Sequence, residues 1–249
     1  MLNVNPRQQT MEENIKWLMT SHQELDSRVF DANHQMLPEI RQKLLMRAQV
    51  VIDGCLKDFP WLQVDDIVLF GSSTTYEYQE FSDLDLEIVV SIVENNGVFK
   101  SNKQIFQFIG KVRNAFLDHQ RKYRIAGRQV EIKIVLKVPD LAQYSVLYDK
   151  WLIYPQHKDM SQIDAQKVIA RAQDIVEKIK YMMTGQFERP NGKYKVDDLQ
   201  KMQDYYNFVV AVFHGSVEDW LAYKLVNYTG YVHRLRNFYT SQLAKTLSF

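Results

Sequence analysis

A chain of 249 residues with 46% apolar and 24% charged side chains can bury one good core and add a smaller lobe, which excludes a disordered or fibrous protein. A formal net charge of +1 argues against an extended duplex-binding surface, and the single cysteine, Cys55, excludes an internal disulfide framework. No run approaches the roughly 18 uninterrupted apolar residues of a membrane span, and MLNVNPRQQTMEENIKW lacks the basic start, apolar run and cleavage site of a leader. A cytoplasmic protein that does not enter the membrane is expected.

In chain order, a weak helical pattern covers residues 8 to 24. A longer helix is expected from Glu39 to Lys57, where Ile40, Leu44, Ala48, Val51 and Cys55 recur at helical spacing. Cys55 on that apolar face reads as a buried structural thiol rather than a nucleophile. Three strands follow: IVLF at 67 to 70, LDLEIVV at 84 to 90, and the strictly alternating QVEIKIVLKV at 129 to 138. Between the last two, Ile105, Phe108, Ile109, Val112 and Phe116 predict an amphipathic crossover helix.

Beyond Pro155 the strand signal ends, and helical patterns cover 161 to 184, 195 to 214 and 217 to 245. In the last, Leu221, Leu225, Tyr228, Val232, Leu235, Tyr239 and Leu243 trace one stripe that reads as core contact rather than a base-stacking platform. The expected class is α+β, a small mixed β-sheet with flanking helices plus a C-terminal helical lobe. The expected divisions are N-terminal helices over 1–58, a sheet domain over 59–158 and a helical domain over 159–249.

Charge is unevenly distributed. Lys224, Arg234, Arg236 and Lys245 have no acid beside them between Leu221 and Phe249, and between 121 and 137 six basic residues face only Glu131. Such clusters suit phosphate-bearing ligands, although solvated helix faces and loops carry them too.

The segment that carries chemistry is LFGSSTTYEYQEFSDLDLEIVV, residues 69 to 90. An apolar strand ends in Gly71-Ser72, and a second strand opens on Asp83-Leu84-Asp85. Side chains alternate along a strand, so Asp83 and Asp85 share one face, about 6 to 7 Å apart, while Leu84, Leu86 and Ile88 enter the core. Two such carboxylates repel each other unless a hard cation such as Mg²⁺ lies between them. Glu131, flanked by Val130 and Ile132, would complete the set, and a salt bridge to Lys133 is its bland alternative. Glu87 shares the face of Asp85 and reads as a solvated or supporting acid. His119 and His157 stand alone and read as surface or packing residues.

This order, Gly-Ser after an apolar strand, Asp-x-Asp opening another, and a lone acid on a third, resembles the DNA polymerase beta-like nucleotidyltransferases. "FGSS", "FSDLDLEIVV" and "VEIKIVL" carry the resemblance, which covers roughly residues 60 to 140. It implies a metal-dependent transfer of a nucleoside monophosphate, AMP foremost, from a nucleoside triphosphate to a hydroxyl, with release of pyrophosphate. Asp83, Asp85 and Glu131 would be the catalytic ligands of two Mg²⁺ or Mn²⁺ ions. Gly71, Ser72 and Ser73 would form the phosphate-binding turn.

Two departures stand out. Many small members carry a basic residue after Gly-Ser where this chain has Ser73 and Thr74, so Lys133 or Arg128 would contact the triphosphate instead. The third acid is Glu where Asp is commoner. The acceptor class stays open between an RNA end, a protein side chain and a small molecule. A non-catalytic nucleotide sensor or antitoxin-like partner, and a synthase of oligo- or cyclic nucleotides, are the competing readings.

Overall fold

The computed structural model describes residues 10–56, 59, 61–80, 82–93, 123–138, 140–184, 194–212 and 215–247. The expected crossover helix, His119, Arg121, Lys122 and the side chain of Cys55 lie outside the described residues. The chain divides into two compact units, residues 21–157 and the described parts of 1–20 with 158–249. The first helix therefore groups with the C-terminal helices rather than with residues 21–58.

In the first unit, α2 (Pro38–Val51) starts with proline at its first turn, where a missing N–H costs nothing, and runs into a π-helical turn at Ile52–Leu56. Ile40, Leu44, Ala48 and Val51 are buried along one side. Arg41 fastens the helix down, its guanidinium donating to the carbonyls of Val146 (2.8 Å) and Leu147 (2.7 Å).

The six-stranded mixed sheet has the order β3-β4-β2-β1-β5-β6. Its strands are β1 (Leu62–Phe70), β2 (Leu84–Ile92), β3 (Arg124–Ile125), β4 (Arg128–Val135), β5 (Gln143–Ser145) and β6 (Lys150–Ile153). β1 and β2 are antiparallel, whereas β2 and β4 are parallel. Leu69 faces Leu86 and Ile67 faces Ile88 across the first pair, and Leu86 faces Ile132 across the second. That face joins α2 in one core, which leaves Asp83, Asp85, Glu87, Glu131 and Lys133 on the other face.

Three strands go beyond the expected set. β3 is a two-residue partner of β4 across a turn at Ala126-Gly127, both at positive φ. β5 and β6 form the far edge, where Gln143, Tyr144 and Ser145 are all buried and alternation of polarity fails. The unit closes on itself where its two ends meet, Ser21 Oγ lying 3.2 Å from His157 Nδ1.

The second unit holds α1 (Met11–Leu18), α3 (Ala165–Thr184), α4 (Val196–Val212), α5 (Val217–Tyr228) and α6 (Tyr231–Leu247). Reciprocal capping boxes, Thr10 with Glu13 and Ser216 with Asp219, start α1 and α5. The single helix expected over 217 to 245 is two. Gly230, at φ +76, breaks it, a conformation that glycine adopts without steric cost. Leu221, Leu225, Val232 and Leu235 are buried on both sides of the break, so the stripe is core packing as expected. No helix among the described residues is long and apolar enough to cross a membrane.

Candidate metal centre

Leu84, Leu86 and Ile88 are fully buried, and this anchoring of β2 fixes Asp83, Asp85 and Glu87 on the opposite face. The parallel register then sets Asp85 beside Glu131 and Glu87 beside Lys133. Ligand oxygens of Asp83, Asp85 and Glu131 all lie within 4.8 Å of one another. The three acids that the sequence singled out are thus brought together.

Such an arrangement is costly by itself. At that separation each pair of full charges repels by roughly 1 to 3 kcal/mol, depending on how well water screens it. Asp85, whose side chain is 17% exposed, takes the strain: burial first, and then the neighbouring Asp83, push its carboxyl up to about 6. The donor set is all carboxylate, convergent and partly desolvated, which suits a hard divalent ion such as Mg²⁺ or Mn²⁺.

Lys133 partly compensates. Its Nζ lies 3.3 Å from Asp85 Oδ1 and 3.8 Å from Glu131 Oε1. Burial works against the ammonium, but these acids leave its pKa raised. The bland alternative for Glu131 and the metal-ligand reading therefore coexist in one cluster.

The turn after β1 is built around the same carboxylate. Gly71 has φ +87, and a Cβ there would lie 2.4 Å from Asp85 Oδ2. Glycine is required to make room for Asp85, a closer demand than approach to phosphate. A short 3₁₀ turn follows at Ser72–Thr74. Ser72 Oγ donates to Ser82 Oγ (3.0 Å), which accepts the Gln79 N–H (2.9 Å), so the turn is tied to the residue preceding Asp83. Ser73 is fully buried and its hydroxyl donates to Phe70 O (3.4 Å). Thr74 bonds Gly71 O and Ala142 O, locking the turn against the approach to β5.

Two expectations change. Arg128, offered as a triphosphate contact, is 2% exposed and pairs with the equally buried Asp26 and with Gln79 O (3.1 Å). It ties the loop before Asp83 to the segment preceding α2 and does not reach out to solvent. Glu87 is 4% exposed rather than solvated, with Oε2 lacking a hydrogen-bond partner, and burial raises its pKa. His157, in contrast, stacks on Tyr76 at 3.6 Å, in keeping with the surface or packing role expected of it. The buried partner Asp26 escapes sequence reasoning, because its surroundings, LDSR, carry no signal beyond Arg28 two residues on, which also binds it (3.0 Å).

No family model matches the chain, and no curated protein matches it. A solved structure described as the STING-associated CdnE c-di-GMP synthase from Capnocytophaga granulosa aligns over 98% of this chain and 90% of that chain, at 10% identity and a TM-score of 0.27. At that score the likeness supports no inference about this chain.

Proposed function

We propose that the chain is a metal-dependent nucleotidyltransferase that moves a nucleoside monophosphate from a nucleoside triphosphate to a hydroxyl acceptor and releases pyrophosphate. The convergence of Asp83, Asp85 and Glu131 beside the Gly71-Ser72 turn carries the reading. When bound, divalent ions at these carboxylates would supply an acidified acceptor hydroxyl and charge neutralisation on the leaving pyrophosphate.

The chain's own residues then have defined tasks. Asp85, gripped between Gly71 and Lys133, is the best-oriented ligand, while Asp83 and Glu131 are the more exposed arms. Half-buried Ser72, beside a glycine that presents no side chain, is the turn residue suited to a phosphate oxygen through its backbone N–H, since Ser73 and Thr74 are fully buried and the Thr74 N–H donates to Gly71 O. Lys133, paired with Asp85 and Glu131, is suited to a triphosphate oxygen. AMP as the transferred nucleotide rests on the resemblance alone, and the acceptor class stays open between an RNA end, a protein side chain and a small molecule.

The test is transfer of label from each α-labelled nucleoside triphosphate, with Mg²⁺ or Mn²⁺, to RNA, protein or small molecules, with pyrophosphate release followed in parallel. Loss of transfer in the doubly substituted Asp83→Ala, Asp85→Ala protein is expected. A wild type that binds nucleotide but releases no pyrophosphate with any acceptor class would refute the enzymatic reading.

A further inference from the structure

On the acidic face of the sheet, one lysine and one buried glutamate are left without a task by the metal-ligand set alone. Lys133 reaches into the acid cluster, its Nζ 3.3 Å from Asp85 Oδ1 and 3.8 Å from Glu131 Oε1, two of the three carboxylates that would hold a divalent ion. Glu87 is its direct register partner across the parallel β2–β4 pair, so their Cβ atoms leave the sheet on the same side, one strand spacing apart. Yet the ammonium leans back one row toward Asp85 and Glu131, and Glu87 Oε2 is buried with no partner. A buried carboxylate oxygen left unpaired keeps its full desolvation penalty with nothing to offset it, and calls for an explanation.

We propose that Lys133 is a built-in stand-in for the metal, and that Glu87 is the station that receives its ammonium when a divalent ion takes over Asp85 and Glu131. This rests on the metal-ligand reading given above. With the ion absent, Lys133 neutralises the acid cluster and holds the carboxylates in place. When the ion enters, a rotation about the lysine stem swings Nζ to Glu87 Oε2, satisfying the orphaned oxygen and keeping the cation on the face where triphosphate would bind. Lys133 and Glu87 are thus positioning residues, with Glu87 acting only through the lysine. The unfilled oxygen matters because a lysine expelled into solvent would need no second carboxylate, and a carboxylate that never meets a cation would not be retained at 4% exposure without cost.

The test is Mn²⁺ binding to the full chain without nucleotide, measured by titration with paramagnetic detection, alongside unfolding in denaturant. Lys133→Met keeps most of the aliphatic stem and removes the competitor, so Mn²⁺ should bind about tenfold more tightly although the metal-free protein is less stable. Lys133→Arg keeps the charge and should bind no tighter than wild type. Glu87→Gln removes the receiving charge and should weaken Mn²⁺ binding several-fold, and that loss should vanish when combined with Lys133→Met. Unchanged or weaker binding in Lys133→Met overturns the proposal, as does a Glu87→Gln effect that persists in the Lys133→Met background. If neither wild type nor any variant binds Mn²⁺, the metal-ligand reading itself has failed, a result distinct from the other two.

Discussion

Replacing Gly71 by alanine should impair the proposed metal centre as well as destabilise the protein. The added methyl carries two penalties that other glycines allow to be separated. At φ +87 and ψ −161, a region essentially reserved for glycine, an alanine is strained by about 1 to 3 kcal/mol. Its Cβ would also lie 2.4 Å from Asp85 Oδ2 and 3.3 Å from Asp85 Cγ. Restoring an ordinary contact of about 3.5 Å requires the carboxylate to retreat by about 1 Å. Metal ligands tolerate about 0.2 Å, so Asp85 would leave the coordination set, and Mn²⁺ affinity should fall at least tenfold, about 1.4 kcal/mol.

Gly127 and Gly230 both have φ +76, but a methyl added at either would meet nothing within 4 Å, so Gly127→Ala and Gly230→Ala carry the strain without the clash. Unfolding in denaturant should show a cost for all three variants, largest for Gly71→Ala, while a Mn²⁺ titration should show lost affinity in Gly71→Ala alone. Gly71→Ala that stays folded and binds Mn²⁺ as tightly as Gly127→Ala would refute the assignment of Asp85 as a ligand wedged against this turn.

Two further outcomes follow from the site's charges. Because the Asp85 carboxyl is held up at about 6, the folded state binds its proton more tightly than the unfolded chain does; its contribution favours folding in acid and is lost as pH rises through about 6. Between about pH 4 and pH 7 the metal-free protein should lose on the order of 1 to 3 kcal/mol from this group, a trend that Asp85→Asn flattens and saturating Mn²⁺ reverses, since the ion requires the ionised carboxylate. Denaturant unfolding across that range checks it, and a wild-type trend that Asp85→Asn leaves intact would contradict it. Arg128→Met should cost about 3 kcal/mol by stranding buried Asp26, with Arg28 retaining part of the pairing. Adding Asp26→Asn should recover part of that loss in the same assay, and a cost below about 1 kcal/mol for Arg128→Met would show that the pair is not structural.

What could be read in advance was whatever depended on alternation. Leu84, Leu86 and Ile88 pointed inward and therefore placed Asp83 and Asp85 together, and the same parity brought Glu131 to them once β4 paired in register. β5 was not legible because Gln143 and Ser145 are buried polar residues, which erase the apolar pattern that marks a strand. The break at Gly230 was hidden because Leu225 and Val232 are two helical turns apart in sequence, so the stripe looks continuous across a gap of only two residues, Thr229 and Gly230. Arg128 misled for a related reason: charge is visible in a sequence, whereas the distant Asp26 that buries it is not. The need for glycine at position 71 was legible as a tight turn but not in its cause, because Asp85 reaches it only through strand pairing.

The hydrogen bond between Ser21 and His157 bears on how the polypeptide assembles during synthesis. α1 has eight residues, fewer than the dozen or so an isolated helix needs, and it buries Ile15 and Leu18 against a cluster made by residues 160 onward. It therefore emerges from the ribosome long before its partners and must wait for them as unstructured chain. Once residues 21–157 have folded, the clasp brings the flanking segments side by side, and the entropy of closing a loop of more than a hundred residues has already been met. Weakening the clasp should leave the sheet intact and slow the docking of α1.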